Sequence, residues 1–333
     1  MGYIKIHKQN LFHNLDYFSK ICTKDKLCIA LKDNAYGHGI EQIASLLQEY
    51  GIKHVFVRTN EEATIALKYD FESILLLYDI PQIRHPNIIV SINSLEHISQ
   101  IPMGCNVELK IDTGMNRNGI DFEQIEEALE LIISNQLNLF GVFTHFCCAD
   151  ECDSITKQQE KKFQEALTKI KSLYSKDFRV HCANSAGVFK VDISQYDLAR
   201  VGIGSYGYLD IEQEKNLRPV LSLHAKKIAT KHIKKGAHIG YGVEAFTASL
   251  DMTVSNYDVG YGDGLFRLSE VKKSTIANGL EVLGRVSMDS FSVESSDDEV
   301  CVFNNVTKMA QTHSTIKYEI LTNLKSSIKR VIV

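Results

Sequence analysis

LCIALKDNAYGHG, residues 27–39, is the stretch that decides how this chain folds. It begins with five apolar residues and then places Lys32 at the start of a polar, glycine-containing segment. A continuous apolar run of this length is typical of a parallel strand that is buried on both faces. A lysine at the end of such a strand carries an amine that can condense with a carbonyl compound. The stretch therefore predicts a buried strand that delivers a reactive amine.

Similar apolar runs recur through the first two-thirds of the chain, at 54–58, 73–78, 87–92, 107–111, 139–144, 179–181 and 198–201. Stripes of apolar residues with helical spacing lie between several of them, including Ile40, Ile43 and Leu47. The segment 7–22 is predicted as a helix that precedes the first strand. Strand and helix alternating eight times predict a (β/α)8 barrel of the TIM type, with a doubly wound open sheet as the competing prediction.

The pattern changes after about residue 210. Helical stripes fade, and β-rich segments at 220–229, 252–258, 281–287 and 299–303 are separated by Gly, Asn, Asp and Ser. We therefore expect a barrel domain over 8–210 and a β-rich domain over 211–333, with residues 1–7 pairing with the latter.

Composition limits the function classes. The 333 residues carry a net charge of -4 and are 44% hydrophobic and 23% charged, which is the ordinary balance of a globular protein. This charge gives no reason to expect a nucleic-acid partner, and no apolar run approaches the ~18 residues of a membrane span. The first ten residues contain no apolar signal core, so we expect a cytoplasmic protein without a membrane partner.

The eight cysteines include no C-x-x-C pair. Cys148 and Cys152, with His145 nearby, could form part of a metal site, but a second ligand pair at zinc spacing is missing. We therefore expect reduced thiols in a cytosolic core and no metal.

Reactive residues of a TIM-type barrel collect after the carboxyl ends of its strands. The fifth predicted strand leads into Lys110, Asp112 and Arg117. Strand alternation places Lys110 and Asp112 on one face, and Arg117 is suited to clamp a carboxylate. The sixth predicted strand ends at His145.

The loops after the seventh and eighth strands are the usual phosphate site of such barrels. Ser185 offers a hydroxyl there, and Gly202 and Gly204 allow backbone N–H groups to approach an anion. With Lys32 and Arg200, they provide the amine, the phosphate anchor and the group facing a ring nitrogen that pyridoxal phosphate needs. Each residue alone has an ordinary structural interpretation, so the prediction depends on their joint placement at successive strand ends.

The motifs as a set resemble those of alanine racemases. The matching segments follow in order across nearly the whole chain: KDNAYGHG at 32–39, KIDTGMNR at 110–117, THF at 144–146, ANSA at 183–186, RVGI at 200–203, GYG at 240–242, GYGDG at 260–264, GRVSMD at 284–289 and YEI at 318–320. The resemblance implies a barrel plus β-domain homodimer with shared active sites. It also implies that the enzyme interconverts L- and D-alanine on a pyridoxal-phosphate aldimine and supplies D-alanine for peptidoglycan.

The resemblance also implies residue roles. Lys32 would hold the cofactor as a Schiff base and act as one base, and Tyr241 of the other subunit would be the opposite base. His145 would lie between Tyr241 and Arg200, with Arg200 facing the pyridine nitrogen. The remaining roles concern the phosphate, the substrate and one modified side chain. The phosphate would be held by Tyr36, Ser185, Gly202, Ile203 and Tyr318. Arg117 and the backbone of Met288 would bind the substrate carboxylate, and Tyr261 would line the entrance. Lys110 matches a lysine that is carbamylated in many members of the family.

Departures from the family pattern leave the substrate range open. Position 33 is Asp where a small residue is usual, although its side chain could point behind the strand, and the entrance motif reads GYGDG rather than GYAD. The alternatives are a pyridoxal-phosphate decarboxylase of a basic amino acid, a racemase of another small amino acid and a non-enzymatic single-barrel binding protein. The decarboxylases usually carry a cysteine before the aspartate that here is Asp289, and the binding proteins lack a β-domain.

Overall fold

The computed structural model describes residues 1–242, 246–267 and 274–333. They form two compact units. The barrel unit contains Gln9–Ala35 and Ile43–Arg218, and the C-terminal unit contains Met1–Lys8, Tyr36–Gln42 and Pro219–Val333. The short segment Tyr36–Gln42 therefore packs with the C-terminal unit although the barrel unit surrounds it in sequence.

The barrel unit is built on parallel strands. After β1 (Tyr3–Ile6), which belongs to the C-terminal unit, the chain forms β2 (Leu27–Ala30), β3 (His54–Val57), β4 (Ser73–Leu76), β5 (Ile88–Ile92), β6 (Asn106–Lys110), β7 (Asn138–Phe143), β8 (Arg179–His181) and β9 (Ala199–Val201). These eight strands pair in chain order, with β9 beside β2. Every predicted barrel strand is confirmed.

The end strands β8 and β9 close the sheet into a barrel. The Asp197 N–H donates to Val180 O at 2.8 Å, and the Arg200 N–H donates to Ala183 O at 3.0 Å. The predicted TIM-type barrel is therefore confirmed, and the competing open sheet is wrong.

The helices alternate with the strands less regularly than predicted. They span Lys8–Cys22, Ile40–Tyr50, Asn60–Ala66, Leu95–Ile98, Ile125–Ser134 and Asp153–Leu173. The connection 77–87 is described throughout and has no α-helix, because Pro81 and Pro86 each remove a backbone donor and obstruct the preceding turn. The described connections after β8 and β9 contain 3₁₀ turns instead of α-helices.

The helix Lys8–Cys22 supports the loop after β9. Asn14 donates to Ser205 O at 3.1 Å, and the Phe18 ring is fully buried. A Cβ atom on Gly204 would lie 2.6 Å from that ring, so only glycine fits at this position.

The C-terminal unit is built on a sheet around one long strand. Its further strands are β10 (Leu221–Ile233), β11 (His238–Ile239), β12 (Phe246–Thr247), β13 (Met252–Tyr257), β14 (Phe291–Val293), β15 (Glu299–Phe303) and β16 (Lys329–Ile332). β10 pairs antiparallel with β1, β13 and β15, and β16 adds to β1 in parallel. Two helices, Thr307–His313 and Lys317–Thr322, precede β16.

The predicted segment 281–287 is not a strand. Only Glu281 and Val282 form isolated bridges, with Thr275 and Val293. Gly284 has a φ of +71°, which turns the chain out of an extended conformation. Among the helices of the described ranges, none is long and apolar enough to cross a membrane.

Candidate active site

Lys32 follows β2 directly and begins a left-handed turn. The next four residues, 33–36, have φ angles of +54°, +55°, +53° and +49°. Each left-handed L-residue costs about 1–2 kcal/mol, so the surrounding structure must hold the turn in place. The carboxylate of Glu62 does so in part, because its Oε1 accepts the N–H of Asn34 at 3.1 Å.

Asp33 faces the lysine and does not point behind the strand. Its Oδ2 lies 2.9 Å from Lys32 Nζ, and its Oδ1 lies 3.0 Å from the guanidinium of Arg58. The departure from the family pattern at this position therefore places a carboxylate against the predicted cofactor lysine.

His145 lies near several of the predicted site residues. Burial lowers the pKa of this imidazole well below its usual value, and the positive charges of Arg200, Arg117, Lys110 and Lys32 lower it further. All four cationic side chains therefore lie near enough to this histidine to act on its charge, and the Arg200 guanidinium lies 3.4 Å from its Nδ1. Such a concentration of positive charge suits an anionic ligand.

Arg200 is held rigidly in the barrel interior. Its guanidinium donates to Thr144 O at 2.7 Å and to Cys182 O at 3.3 Å, and it lies 3.4 Å from His145 Nδ1. It also donates to His181 Nδ1. Because arginine has only donors, each of these ring nitrogens must be an unprotonated acceptor.

Arg200 is connected to a buried network of charged side chains that was not predicted from the sequence. His181 Nε2 lies 2.9 Å from Glu108 Oε2, and Glu108 also pairs with the guanidinium of Arg179. Arg179 in turn donates to Ser73 Oγ at 2.9 Å. Strand alternation gave the signal, since Glu108 shares its strand face with Lys110 and Asp112.

Lys110 is buried and its amine donates to Asn118 Oδ1. Burial, and then the charges of Arg117 and Arg200, lower the pKa of this amine to about 8. The loop that leads to Arg117 is shaped by Asp112, whose Oδ1 accepts the N–H groups of residues 114, 115 and 116 at 2.8–3.2 Å.

The loops after β8 and β9 are joined by Ser185. Its Oγ accepts the N–H groups of Gly202 at 2.9 Å and Gly204 at 3.2 Å. Ile203 begins the 3₁₀ turn Ile203–Tyr206. The structure thus brings the predicted barrel-unit phosphate residues together in one buried loop pair.

The other predicted phosphate residues, Tyr36 and Tyr318, lie together in the C-terminal unit, with ring centroids 5.6 Å apart. Gly37 permits this packing, because a Cβ atom there would lie 2.0 Å from Leu321 O. Arg330 fixes the turn by donating from Nε and Nη2 to Gly37 O at 3.1 and 2.9 Å.

The remaining predicted residues are exposed on loops of the C-terminal unit. Tyr241 is 62% exposed, Met288 56% and Tyr261 40%. The Tyr261 N–H donates to Ser287 O at 3.0 Å, which places Tyr261 beside the Met288 segment. All three side chains are therefore accessible at the surface of the single chain.

No group of three or more His, Cys, Asp or Glu side chains able to hold a metal ion occurs in the part of the chain that the structure describes. All eight cysteines are free, but the prediction that they are core thiols is only partly right. Cys147 is exposed, and Cys148, Cys152 and Cys301 are partly exposed, because the first three lie on the loop after β7 and Cys301 on a strand of the C-terminal sheet.

Comparisons with known proteins match the whole chain. The family model "Alanine racemase, N-terminal domain" matches residues 6–210, and "Alanine racemase, C-terminal domain" matches residues 220–332. A protein of Nitratiruptor sp. named alanine racemase is 42% identical over 338 residues, covering 99% of both chains. One from Campylobacter jejuni strain 81-176 is 41% identical over 335 residues, covering 100% of both.

Solved structures agree with these relatives. An alanine racemase of Clostridium difficile 630 superimposes with a TM-score of 0.90 at 27% identity, covering 100% of this chain and 95% of that one. An alanine racemase of Bartonella henselae, described with covalently bound pyridoxal phosphate, superimposes with a TM-score of 0.85 at 24% identity, covering 100% and 99%. The family models, the relatives and the barrel with its β-rich second unit lead to one conclusion: the chain belongs to the alanine racemase family, whose members are isomerases.

Proposed function

We propose that this protein racemises alanine with pyridoxal phosphate as its cofactor. The observation that carries the proposal is the cluster of Lys32, Lys110, Arg117 and Arg200 around His145. A cofactor phosphate and a substrate carboxylate are both anions, and this cluster offers them charge complementarity together with one amine suited to bond an aldehyde.

The barrel residues fit the cofactor. Lys32 would attach it. Ser185 Oγ and the backbone of Gly202 and Ile203 would hold its phosphate, and the Gly202 N–H would exchange its bond to Ser185 Oγ for one to the phosphate. We assign further phosphate contacts to Tyr36 and Tyr318, whose rings pack together. When bound, pyridoxal phosphate supplies an aldehyde for the amino group and a ring that withdraws electron density from Cα.

Arg200 would face the ring nitrogen. An arginine does not release its proton at physiological pH, so it can donate a hydrogen bond to that nitrogen without protonating it. Its contacts with Thr144 and His181 hold the guanidinium in place. A ring that stays unprotonated is a weaker electron acceptor, which suppresses transamination.

Racemisation requires proton transfer on both faces of Cα. We assign one face to Lys32 Nζ and the other to Oη of Tyr241 of the partner subunit, in a homodimer with shared sites. Tyr241 is 62% exposed on the C-terminal unit, which leaves its hydroxyl accessible to a second copy. Arg117 and the backbone of Met288 would receive the substrate carboxylate, and Tyr261 would line the entrance.

Lys110 is a candidate for carbamylation. Reaction with carbon dioxide requires the neutral amine, and the lowered pKa of about 8 makes that form accessible near neutral pH. We further propose a cytoplasmic role in supplying D-alanine for peptidoglycan.

The same cationic cluster weighs against a decarboxylase of basic amino acids, because a positively charged substrate side chain would be repelled. A racemase of another small amino acid stays open. A non-enzymatic single-barrel protein does not account for the C-terminal unit, which the second family model matches over residues 220–332.

The test combines reaction and attachment site. Purified protein with cofactor should convert L-alanine to an equal mixture of enantiomers without releasing carbon dioxide or keto acid, and a screen of small amino acids would define the range. Borohydride reduction followed by peptide mapping should place the cofactor on Lys32. Carbon dioxide release as the main product, or a label on another lysine, would contradict the proposal.

A further inference from the structure

Three thiols lie close together on the loop that leaves β7, outside the residues assigned to racemisation. We call Cys147, Cys148 and Cys152 the loop thiols. Cys147 Sγ lies 3.4 Å from Cys148 Sγ, and all three are free and at least partly exposed. We propose that the loop thiols form a redox modification site, at which a hydroperoxide oxidises Cys152 and Cys148 then closes a disulfide with it.

Cys152 is more reactive than Cys148. It is the N-cap residue of the 21-residue helix Asp153–Leu173, and its Sγ lies 3.3 Å from Ser154 Oγ. The Ser154 hydroxyl and the backbone N–H of Ile155 lower the pKa of the Cys152 thiol. A helix N-terminus favours a thiolate, which is the nucleophile in thiol oxidation.

The backbone holds Cys148 within one turn of Cys152. The N–H groups of Glu151 and Cys152 both donate to Cys148 O, at 3.0 and 2.9 Å. A turn closed by an i to i+4 bond spans about 6 Å between its end Cα atoms, within the usual range of about 4.4–6.8 Å for a disulfide. Its end Cβ atoms are about 5–6 Å apart, so they must approach each other by about 1–2 Å, and the loop must change shape, when the disulfide forms. Adjacent Cα atoms across a trans peptide are only about 3.8 Å apart, so the Cys147–Cys148 pair is geometrically unfavourable.

The two thiols differ in protonation as the sequence of steps requires. Burial, and then the neighbouring Cys147 and Cys152, raise the pKa of Cys148 to about 11. Cys148 therefore stays protonated while Cys152 reacts first. Once Cys152 is a neutral sulfenic acid, its contribution to the raised pKa of Cys148 disappears.

The chemistry balances as a two-electron oxidation. The Cys152 thiolate attacks the O–O bond of the hydroperoxide, forms an S–O bond and releases an alkoxide or hydroxide, which takes a proton from water. Cys148 then attacks the sulfenic sulfur, the S–S bond forms and the S–O bond breaks with loss of water. The hydroperoxide is reduced to an alcohol or water.

The loop is connected to the candidate site. Gln159 is buried, its Oε1 accepts the Cys147 N–H at 3.0 Å, and its Nε2 donates to His145 O at 3.4 Å and to Thr113 Oγ1 at 3.3 Å. A disulfide that reshapes the loop would therefore act on the segment that holds His145.

Mass spectrometry of the full-length protein tests the pairing. Protein is treated with equimolar hydrogen peroxide, free thiols are blocked with N-ethylmaleimide, and the chain is cleaved after Glu151 under non-reducing conditions. Because Glu151 lies between Cys148 and Cys152, the fragments on either side should stay linked and separate only after reduction. Separate fragments without reduction, or a Cys147–Cys148 disulfide, would overturn the proposal.

Three variants define each step. Cys148→Ser should accumulate a dimedone-reactive sulfenic acid at Cys152, Cys152→Ser should give neither the adduct nor the linked fragments, and the matched control Cys147→Ser should behave like the unmodified chain. If Cys147→Ser abolished the linked fragments while Cys148→Ser kept them, the assignment of Cys148 would be wrong. The experiment with the unmodified chain stands even if a variant fails to fold.

Discussion

His181 Nε2 lies 2.9 Å from Glu108 Oε2, and both side chains are fully buried in the barrel. Because Arg200 donates to the other ring nitrogen, the proton of a neutral His181 must lie on Nε2, where it is donated to Glu108. The carboxylate thereby fixes the tautomer that accepts from Arg200. Glu108 thus orients, through one histidine, the arginine assigned to the cofactor ring.

Glu108→Gln should destabilise the protein strongly. Burial alone would raise the pKa of this carboxyl, but Arg179 and His181 outweigh it and hold the pKa at about 2. Neutralising Glu108 leaves the Arg179 charge uncompensated, and breaking a buried pair typically costs about 3–5 kcal/mol. Urea unfolding of the variant should show a loss of this order, whereas the exposed control Glu130→Gln should change the free energy of unfolding little. Equal effects in the two variants would contradict the network.

Stability should fall as the pH drops from about 6.5 to 4. Burial lowers the pKa of His181 to about 4, and burial and then Arg179 lower that of His54 to about 4. The unfolded chain therefore takes up protons first, and the stabilisation present above pH 6.5 is lost as the pH falls. One such group contributes a slope of about 1.4 kcal/mol per pH unit.

Chemical unfolding across this range should show a smaller slope in His54→Asn than in the unmodified protein. The exposed control His232→Asn should leave the slope unchanged. An identical slope in all three proteins would show that His54 does not remain neutral in the folded state.

Ala35→Gly should have little net effect on stability although Ala35 is fully buried. Its φ of +53° costs about 1–2 kcal/mol, and relief of that strain offsets the lost methyl burial and the added freedom of the unfolded chain. Ala128→Gly, at a buried position of the right-handed helix Ile125–Ser134, gains no such relief and should cost about 2 kcal/mol. Equal losses for the two variants in urea unfolding would argue against a strained turn after Lys32.

Subunit mixing should restore activity to two inactive variants. In a mixed dimer of Lys32→Ala and Tyr241→Ala chains, one shared site carries both changes and the other carries neither. Random association gives half mixed dimers, so about a quarter of the unmodified activity should return. If isolated mixed dimers loaded with cofactor stayed inactive, the two bases would have to come from one chain.

The barrel strands could be predicted because each is a short apolar run that ends at a polar residue. The helices could be predicted less well, because the apolar pattern does not indicate where a helix is lost, and Pro81 and Pro86 prevent one in the connection 77–87. Alternation also placed Glu108 on the face of Lys110, yet its partner His181 lies 73 positions away, and only the closed barrel brings the two together.

Joint placement at strand ends predicted that Lys32, Lys110, Arg117 and Arg200 would lie near one another, and all four act electrostatically on His145. Their roles in catalysis stay predictions. The left-handed turn after Lys32 could not be predicted, because tertiary contacts such as that of Glu62 hold residues that do not favour it locally. The loop thiols were expected in the core, and their position on an exposed loop depends on where β7 ends.

Solvent hydrogen exchange at Cα of alanine tests the two-base account most directly. In deuterium oxide, the Tyr241→Phe enzyme with cofactor should still exchange the Cα hydrogen of D-alanine through Lys32. Exchange of L-alanine should fall by about 10²–10⁴-fold, the usual cost of losing a positioned acid–base group. Proton NMR of each enantiomer measures the two rates, with the unmodified enzyme exchanging both. Equal exchange of L- and D-alanine in the variant would mean that one base serves both faces, and the assignment of Tyr241 would be wrong.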